Sequence, residues 1–275
     1  MSRPFLKMNG LGNDFVVVQA QDEPFEPTAQ EVRAIADRQA GVGCDQLISI
    51  SPSTRADALV RFWNADGEEI DACGNGSRCA ALLLMQAAGK LQATLETKAG
   101  LLSARRAGAS SVTVDMGPPR LDWTEIPLAE AMDTKGIELQ VGPIDDPAMH
   151  TPGCVSMGNP HVVFFVPDVA RVGVREVGSL VENHPLFPQG VNVGFAQVEA
   201  RDRIRLRVWE RGAGLTKACG TGACAALVAA HRRGLVDRAA TLELDGGELS
   251  VEWRESDGHV IMTGPAQIDF AGTLA

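Results

Sequence analysis

The sequence predicts an α+β fold of two homologous, pseudo-symmetric domains, each a curved, barrel-like β-sheet around a central buried helix. Three observations predict it: an internal duplication along the whole chain, many short strand-like runs, and one helix per half that is apolar on every side. The chain has 275 residues and is 45% hydrophobic, so two cores of ordinary size can be filled.

The duplication is clearest around two cysteines. Arg61-Phe62-Trp63 with Ala72-Cys73-Gly74-Asn75-Gly76 overlays Arg207-Val208-Trp209 with Ala218-Cys219-Gly220-Thr221-Gly222 without gaps. Within a residue or so, the same offset sets Gly12-Asn13-Asp14-Phe15 over Gly158-Asn159-Pro160-His161. It also sets Ala93-Thr94-Leu95-Glu96 over Ala240-Thr241-Leu242-Glu243, and Gly117-Pro118 over Gly264-Pro265. Matches in one order at a nearly constant offset indicate homologous halves. The predicted domains are 1–117 with 264–275, and 118–263, with a hinge near Pro118-Pro119. In the tail, Gln267-Ile268-Asp269-Phe270 reads as a short strand that crosses back to the first domain.

Alternating or β-branched runs punctuated by Gly, Pro, Asp and Asn predict strands at 15–19, 46–50, 59–64, 111–116, 162–166, 191–198, 204–210, 249–253 and 259–263. Two helices are expected at 76–88 and 222–233, each closed by a glycine, Gly89 and Gly234. Cys79-Ala80-Ala81-Leu82-Leu83-Leu84 and Cys224-Ala225-Ala226-Leu227-Val228-Ala229 are apolar all round, which places these helices inside their sheets. The stretches 28–39 and 175–183 read as amphipathic surface helices.

Composition narrows the function. A net charge of −10 without a Lys/Arg cluster argues against nucleic acid or an anionic membrane as partner. No apolar run reaches membrane-spanning length, and Met1-Ser2-Arg3-Pro4-Phe5 lacks a signal-peptide core, so a cytoplasmic protein is expected. Six cysteines in such a chain do not suggest a disulfide framework, and their spacing contains no zinc pair, so no metal is expected. The short glycine pairs do not complete a dinucleotide fingerprint.

Cys73 and Cys219 each precede a glycine at a helix start, where backbone N–H groups and the helix dipole favour a thiolate. Two such thiols on related halves suit chemistry that needs a base on one face of a carbon and an acid on the other. Cys44, Cys79, Cys154 and Cys224 read as small core residues, Trp63 and Trp209 as core packing, and Asp14, Asp71 and Lys217 as solvated loop charges. Asn13 and Asn192, beside glycine or in turns, also fit a turn-forming role.

Met8-Asn9-Gly10-Leu11-Gly12-Asn13-Asp14-Phe15, Cys73-Gly74-Asn75-Gly76-Ser77-Arg78-Cys79, Gly158-Asn159-Pro160-His161 and Glu210-Arg211-Gly212-Ala213-Gly214 with Cys219-Gly220-Thr221-Gly222 together resemble the diaminopimelate epimerase family over essentially the full length. The resemblance implies a cofactor-independent epimerase that converts LL-2,6-diaminopimelate to the meso form in lysine and cell-wall precursor biosynthesis. It implies a site in the cleft between the domains and a homodimer. It also implies Cys73 and Cys219 as the catalytic pair, with His161 and Glu210 tuning their pKa values. Substrate binding is implied for Asn13, Gln46, Asn64, Gly74, Asn75, Asn159, Asn192, Glu210, Arg211, Gly220 and Thr221.

An amino-acid α-hydrogen is very weakly acidic, and without pyridoxal phosphate there is no electron sink. The site must then stabilise the carbanion electrostatically, through first-turn N–H groups of both helices directed at the α-carboxylate. In the LL-to-meso direction the resemblance implies that Cys219 takes the proton and Cys73 returns one, and domain movement about the hinge is expected to close the site to water. A proline-type racemase would keep the cysteine pair with a smaller pocket, and the Glu210-Arg211 pair argues for the larger substrate. A phenazine-type isomerase would replace the cysteines. A thiol redox protein would join Cys73 to Cys219, a pairing expected here as an inactivating side reaction. Full activity without either cysteine would leave only a structural scaffold.

Overall fold

The computed structural model describes residues 3–71 and 73–274. Met1, Ser2 and Ala275, and the match of Ala72 to Ala218, lie outside the described residues. The contact pattern divides the chain into two compact units, residues 3–115 with 263–274, and residues 116–262.

The first unit runs β1 (Arg3–Gly10), β2 (Asn13–Gln19), α1 (Ala29–Ala36), β3 (Gln46–Ser51), β4 (Ala58–Asn64), β5 (Glu69–Ile70), α2 (Gly74–Ala88), β6 (Gln92–Thr97), β7 (Gly100–Arg106) and β8 (Ser111–Asp115). The second runs β9 (Gln140–Val141), β10 (Met149–His150), β11 (Gly153–Ser156), β12 (Pro160–Phe165), a 3-10 turn at Val169–Arg171, α3 (Val174–Glu182), β13 (Asn192–Ala200), β14 (Arg203–Glu210), β15 (Gly214–Thr216), α4 (Gly220–Arg232), β16 (Ala239–Leu244) and β17 (Gly247–Trp253). The chain returns through β18 (Val260–Pro265) to β19 (Gln267–Leu274).

The two units repeat one pairing scheme. β1–β2 is antiparallel, β2–β3 parallel, β3–β4 antiparallel, β4–β6 parallel and β6–β7 antiparallel. β11–β12, β12–β13, β13–β14, β14–β16 and β16–β17 follow the same sequence of directions. The tail strand β19 lies antiparallel on β1, with Phe5 opposite Gly272.

Each sheet curls around its apolar helix. Helix α2 packs on β1, β2, β3, β4, β6, β7 and β8, and α4 packs on β11, β12, β13, β14, β16 and β17. A sheet residue points alternately to the two faces, so each sheet carries a second core on its other side. There α1 covers Phe5, Val16, Val18, Leu47 and Trp63 through Val32 and Ala36. In the second unit Val174 and Val181 of α3 cover Phe164, Val193 and Phe195, the two phenylalanines stacking at 6.1 Å. Close approach of helix to sheet depends on glycine. A Cβ at Gly76 would meet Phe62 and Ile48 at 2.9 Å, and one at Gly222 would meet Val208 at 3.1 Å.

The observed elements differ from the sequence prediction in instructive ways. Helices α2 and α4 begin two residues early, because each cysteine is itself the N-cap. Helix α1 ends at Ala36, not 39, because the Asp37 carboxylate accepts the N–H groups of Gln39 and Ala40 and bends the chain into a turn. Its start is a capping box, with Thr28 and Glu31 bonding each other's backbone. Strands β1, β6, β7, β11 and β16 escaped prediction. Their Lys, Gln, Ala, Arg and Gly content has low strand preference, and neighbouring strands hold them in the ladder.

Candidate active site

Each unit carries an equivalent helix start with a cysteine at its cap. Cys73 and Cys219 have extended backbone (φ −138° and −124°), and each sulfur accepts the N–H three residues on, from Gly76 and Gly222 at 3.3 Å. A helix leaves its first N–H groups pointing out of its end, and a cap sulfur in that field is a favoured seat for negative charge. Gly74 and Asn75, and Gly220 and Thr221, form the first turns. The thiols differ in surroundings: Cys73 is half-buried, while Cys219 is 4% exposed.

In the first unit, Asn13 and Asn75 form an amide pair beside Cys73's helix, with Asn75 Nδ2 3.4 Å from Asn13 Oδ1. Arg78 Nη2 donates to Asn75 Oδ1 at 2.7 Å, and Asn13 Nδ2 donates to Asp45 Oδ2 at 2.7 Å. Gln46 and Asn64 sit opposite each other on β3 and β4, and Gln46 Nε2 donates to Asn64 Oδ1 at 2.9 Å. Gln46 Oε1 is buried with no hydrogen-bond partner. An acceptor in that condition is costly unless a ligand or water supplies a donor. Asp14 is not the solvated charge that the sequence suggested. It lies between Lys7, at 2.5 Å, and Arg38, at 2.8 Å, and these cations hold its carboxyl well below the usual range against the opposing effect of burial.

In the second unit, a run of polar contacts leads from a buried histidine to the thiol. His161 Nε2 is 3.0 Å from Asn159 Oδ1, Asn159 Nδ2 donates to Thr221 Oγ1 at 3.3 Å, and Thr221 Oγ1 is 3.6 Å from Cys219 Sγ. His161 reaches the sulfur through Asn159 and Thr221, where the sequence suggested direct proton sharing. Burial, aided by the Arg211 charge, holds its pKa down at about 3. The ring is therefore neutral at physiological pH, and its contact with an amide oxygen assigns the proton to Nε2. Burial pushes the Cys219 thiol well above its ordinary range, and the adjacent Glu210 carboxylate pushes it further. Hydrogen bonds from Thr221 and the Gly222 N–H oppose them.

Glu210 also accepts from the Thr216 hydroxyl, and Arg211 donates through Nη1 to Gln189 O at 2.9 Å. Asn192, 4% exposed, has both ends of its amide on backbone: Nδ2 donates to Pro160 O at 2.8 Å and Oδ1 accepts from Arg211 N at 3.0 Å. It ties β12 to the Glu210–Arg211 turn. Glu182 at the end of α3 does the same from the other side, accepting from Trp209 Nε1 at 2.6 Å and from Gly212 N at 2.9 Å. Trp209 is thus a half-buried anchor as well as a packing residue.

Asp45, Arg78, Glu182 and Thr216 were not singled out from the sequence. Asp45 adjoins Gln46 and Arg78 follows the glycine motif within one helical turn, so proximity could have flagged both. Nothing near Glu182 in sequence points to the turn it holds. The remaining cysteines are core residues, as expected. Cys44, Cys79, Cys154 and Cys224 are buried, and burial pushes Cys44 to about 11 and Cys79 to about 12. No helix among the described residues is long and apolar enough to cross a membrane.

The family model described as diaminopimelate epimerase matches residues 5–121 and 153–268. The diaminopimelate epimerase of Phenylobacterium zucineum (strain HLK1) is 69% identical over 274 residues, covering 100% of this chain and 98% of that protein. That of Caulobacter sp. (strain K31) is 64% identical over 283 residues, with the same coverage of 100% and 98%. Among solved structures, a hydroxyproline epimerase from Agrobacterium vitis superposes with a TM-score of 0.71 at 19% identity, over 99% of this chain and 91% of that one. This last likeness reports the shared fold alone. Two motif-bearing segments matched by the family model and full-length relatives far above chance identity lead to one assignment: this chain belongs to the diaminopimelate epimerase family.

Proposed function

We propose that the protein epimerises LL-2,6-diaminopimelate to the meso isomer without an organic cofactor, using Cys219 and Cys73 as an acid/base pair on one α-carbon. The observation that carries this reading is the equivalent placement of two thiols as N-caps of buried helices, each sulfur accepting a backbone N–H. Family membership supplies the substrate. In the forward direction Cys219 thiolate takes the α-proton and becomes a thiol, and Cys73 thiol delivers its proton to the other face and becomes a thiolate. Proton exchange with solvent then resets the pair. First-turn N–H groups at Gly74, Asn75, Gly220 and Thr221 bear the charge that develops on the carboxylate.

The ligand-free state holds Cys219 as a thiol, because burial and Glu210 disfavour its anion. A substrate ammonium paired with Glu210 would cancel that opposing charge, so substrate itself favours the reactive thiolate. Gln46 Oε1 suits a second ammonium, and Asn64, Asn192 and Arg211 are candidates for the distal carboxylate. A homodimer in the cytoplasm completes the reading. The exposed Ile268 and Phe270 on β19 give a second copy an apolar face, to be checked by sedimentation.

The test is turnover of LL-2,6-diaminopimelate by reduced wild-type, C73S and C219S proteins. Loss of at least about a hundredfold in kcat is expected for each, the scale of a general acid or base. Near-wild-type turnover by either variant would end the two-thiol reading.

A further inference from the structure

We propose that Asp45 is a positioning residue that works with buried Arg78 to fix which way the Asn13 and Asn75 amides face, so that they offer N–H groups to a substrate carboxylate. This rests on the function proposed above. A terminal amide can turn end for end with almost no change of shape, yet its hydrogen-bonding sense reverses. Something with a single sense must therefore hold it. Here both ends of the amide pair have one. A guanidinium only donates, and a carboxylate only accepts.

Arg78 is fully buried in the second turn of α2. Its Nε donates to Pro265 O at 3.2 Å, and its Nη2 donates to Asn75 Oδ1 at 2.7 Å. Asn75 Oδ1 is thereby committed, and Nδ2 turns to Asn13 Oδ1 at 3.4 Å. That commits the Asn13 oxygen in turn, and Asn13 Nδ2 donates to Asp45 Oδ2 at 2.7 Å. Asp45 is itself anchored, accepting from Asp14 N at 3.0 Å and from Arg38 Nη2 at 2.7 Å. The run Arg78 to Asn75 to Asn13 to Asp45 therefore has one direction. Turning Asn13 over would set its oxygen against a carboxylate, and turning Asn75 over would set its NH2 against a guanidinium. Both amide oxygens are taken up inside the run. The second proton on Asn13 Nδ2 is the group assigned to the substrate carboxylate.

The second unit lacks this device and has the opposite sense. Its equivalent asparagine, Asn159, donates to Thr221 and meets His161 with its oxygen, and Cys224 stands at the position equivalent to Arg78. The contrast ties the first unit's amide sense to its own charged ends and not to the shared fold.

The experiment is a double-mutant cycle of D45N with N13A, assayed on LL-2,6-diaminopimelate, with thermal unfolding of each protein alongside. D45N should raise KM about tenfold with kcat within about threefold. D45E, which still only accepts, should stay within about threefold of wild type in KM. In the N13A background, D45N should change KM less than twofold, because its partner is already gone. A general structural role would instead cost D45E as much as D45N, and would persist without Asn13; either result overturns the proposal. The Asn13 side-chain amide signal, assigned by its loss in N13A, reads the same contact without turnover. D45N should move its hydrogen-bonded proton upfield, and an unmoved signal overturns the proposal. Wild-type protein that fails to turn over the substrate would instead count against the proposed function.

Discussion

Cys73 and Cys219 share a cap geometry but not an environment, and the difference is carried by single residues. Glu210 stands where the first half has Asn64, and His161 stands where it has Phe15. Glu210 raises the Cys219 pKa, second only to burial. E210Q should therefore lower it, seen as faster alkylation of Cys219 by iodoacetamide near pH 8, mapped by mass spectrometry. Slower or unchanged alkylation would contradict the electrostatic account. His161 makes an opposite kind of statement. Its folded pKa of about 3 lies below the 6.5 of a free imidazole. The stability this supports is complete above about pH 6.5 and is lost as pH falls toward 3, where the unfolded chain binds a proton that the folded one refuses. The loss reaches on the order of 5 kcal/mol at the acid end, from about 1.4 kcal/mol per pKa unit. H161F, which copies Phe15, should flatten the slope of unfolding free energy between pH 6.5 and 4.5 in urea titrations. Equal slopes in the two proteins would show that His161 does not stay neutral.

The elements explain why a sequence reading found the helices but missed half of the ladder. The repeated Cys-Gly-x-Gly followed by an all-apolar run identified α2 and α4, because a helix without a polar face has only the inside of a sheet to occupy. The caps were less legible, since cysteine is not an ordinary N-cap residue and the starts were placed at Gly76 and Gly222. Strands such as β6 and β16 hold only Ala, Leu and Thr positions inward, with Gln, Ala, Thr and Glu between, and their pairing partners supply the stability that local preference does not. The packing of α2 gives a direct test. G76A would bring a methyl within 2.9 Å of Phe62 and Ile48, and overpacking of this sort costs about 1–3 kcal/mol. The urea midpoint should fall accordingly with the slope unchanged. At α1, T28A should cost about 1 kcal/mol by loss of the capping box, on the same measurement.

At the scale of the whole molecule, duplication makes the site partly readable from sequence. The offset that aligns the cysteines also aligns Asn13 with Asn159, Gln46 with Asn192 and Asn64 with Glu210, so the candidates fall at matching points of two matching sheets. What the repeat hides is the divergence between halves, because Arg78, Asp45 and Glu182 act through contacts distant in sequence or absent from the other copy. The central claim is that two thiols, one from each half, move protons on opposite faces of one carbon. It is tested most directly by following LL-2,6-diaminopimelate with reduced protein in D₂O by proton NMR, with no cofactor added. The account predicts loss of the α-hydrogen signal with inversion, and meso product that carries solvent deuterium at the inverted carbon from the start. Inversion that retains the original hydrogen would contradict two separate acid/base groups, and the absence of both exchange and inversion would contradict the substrate as well.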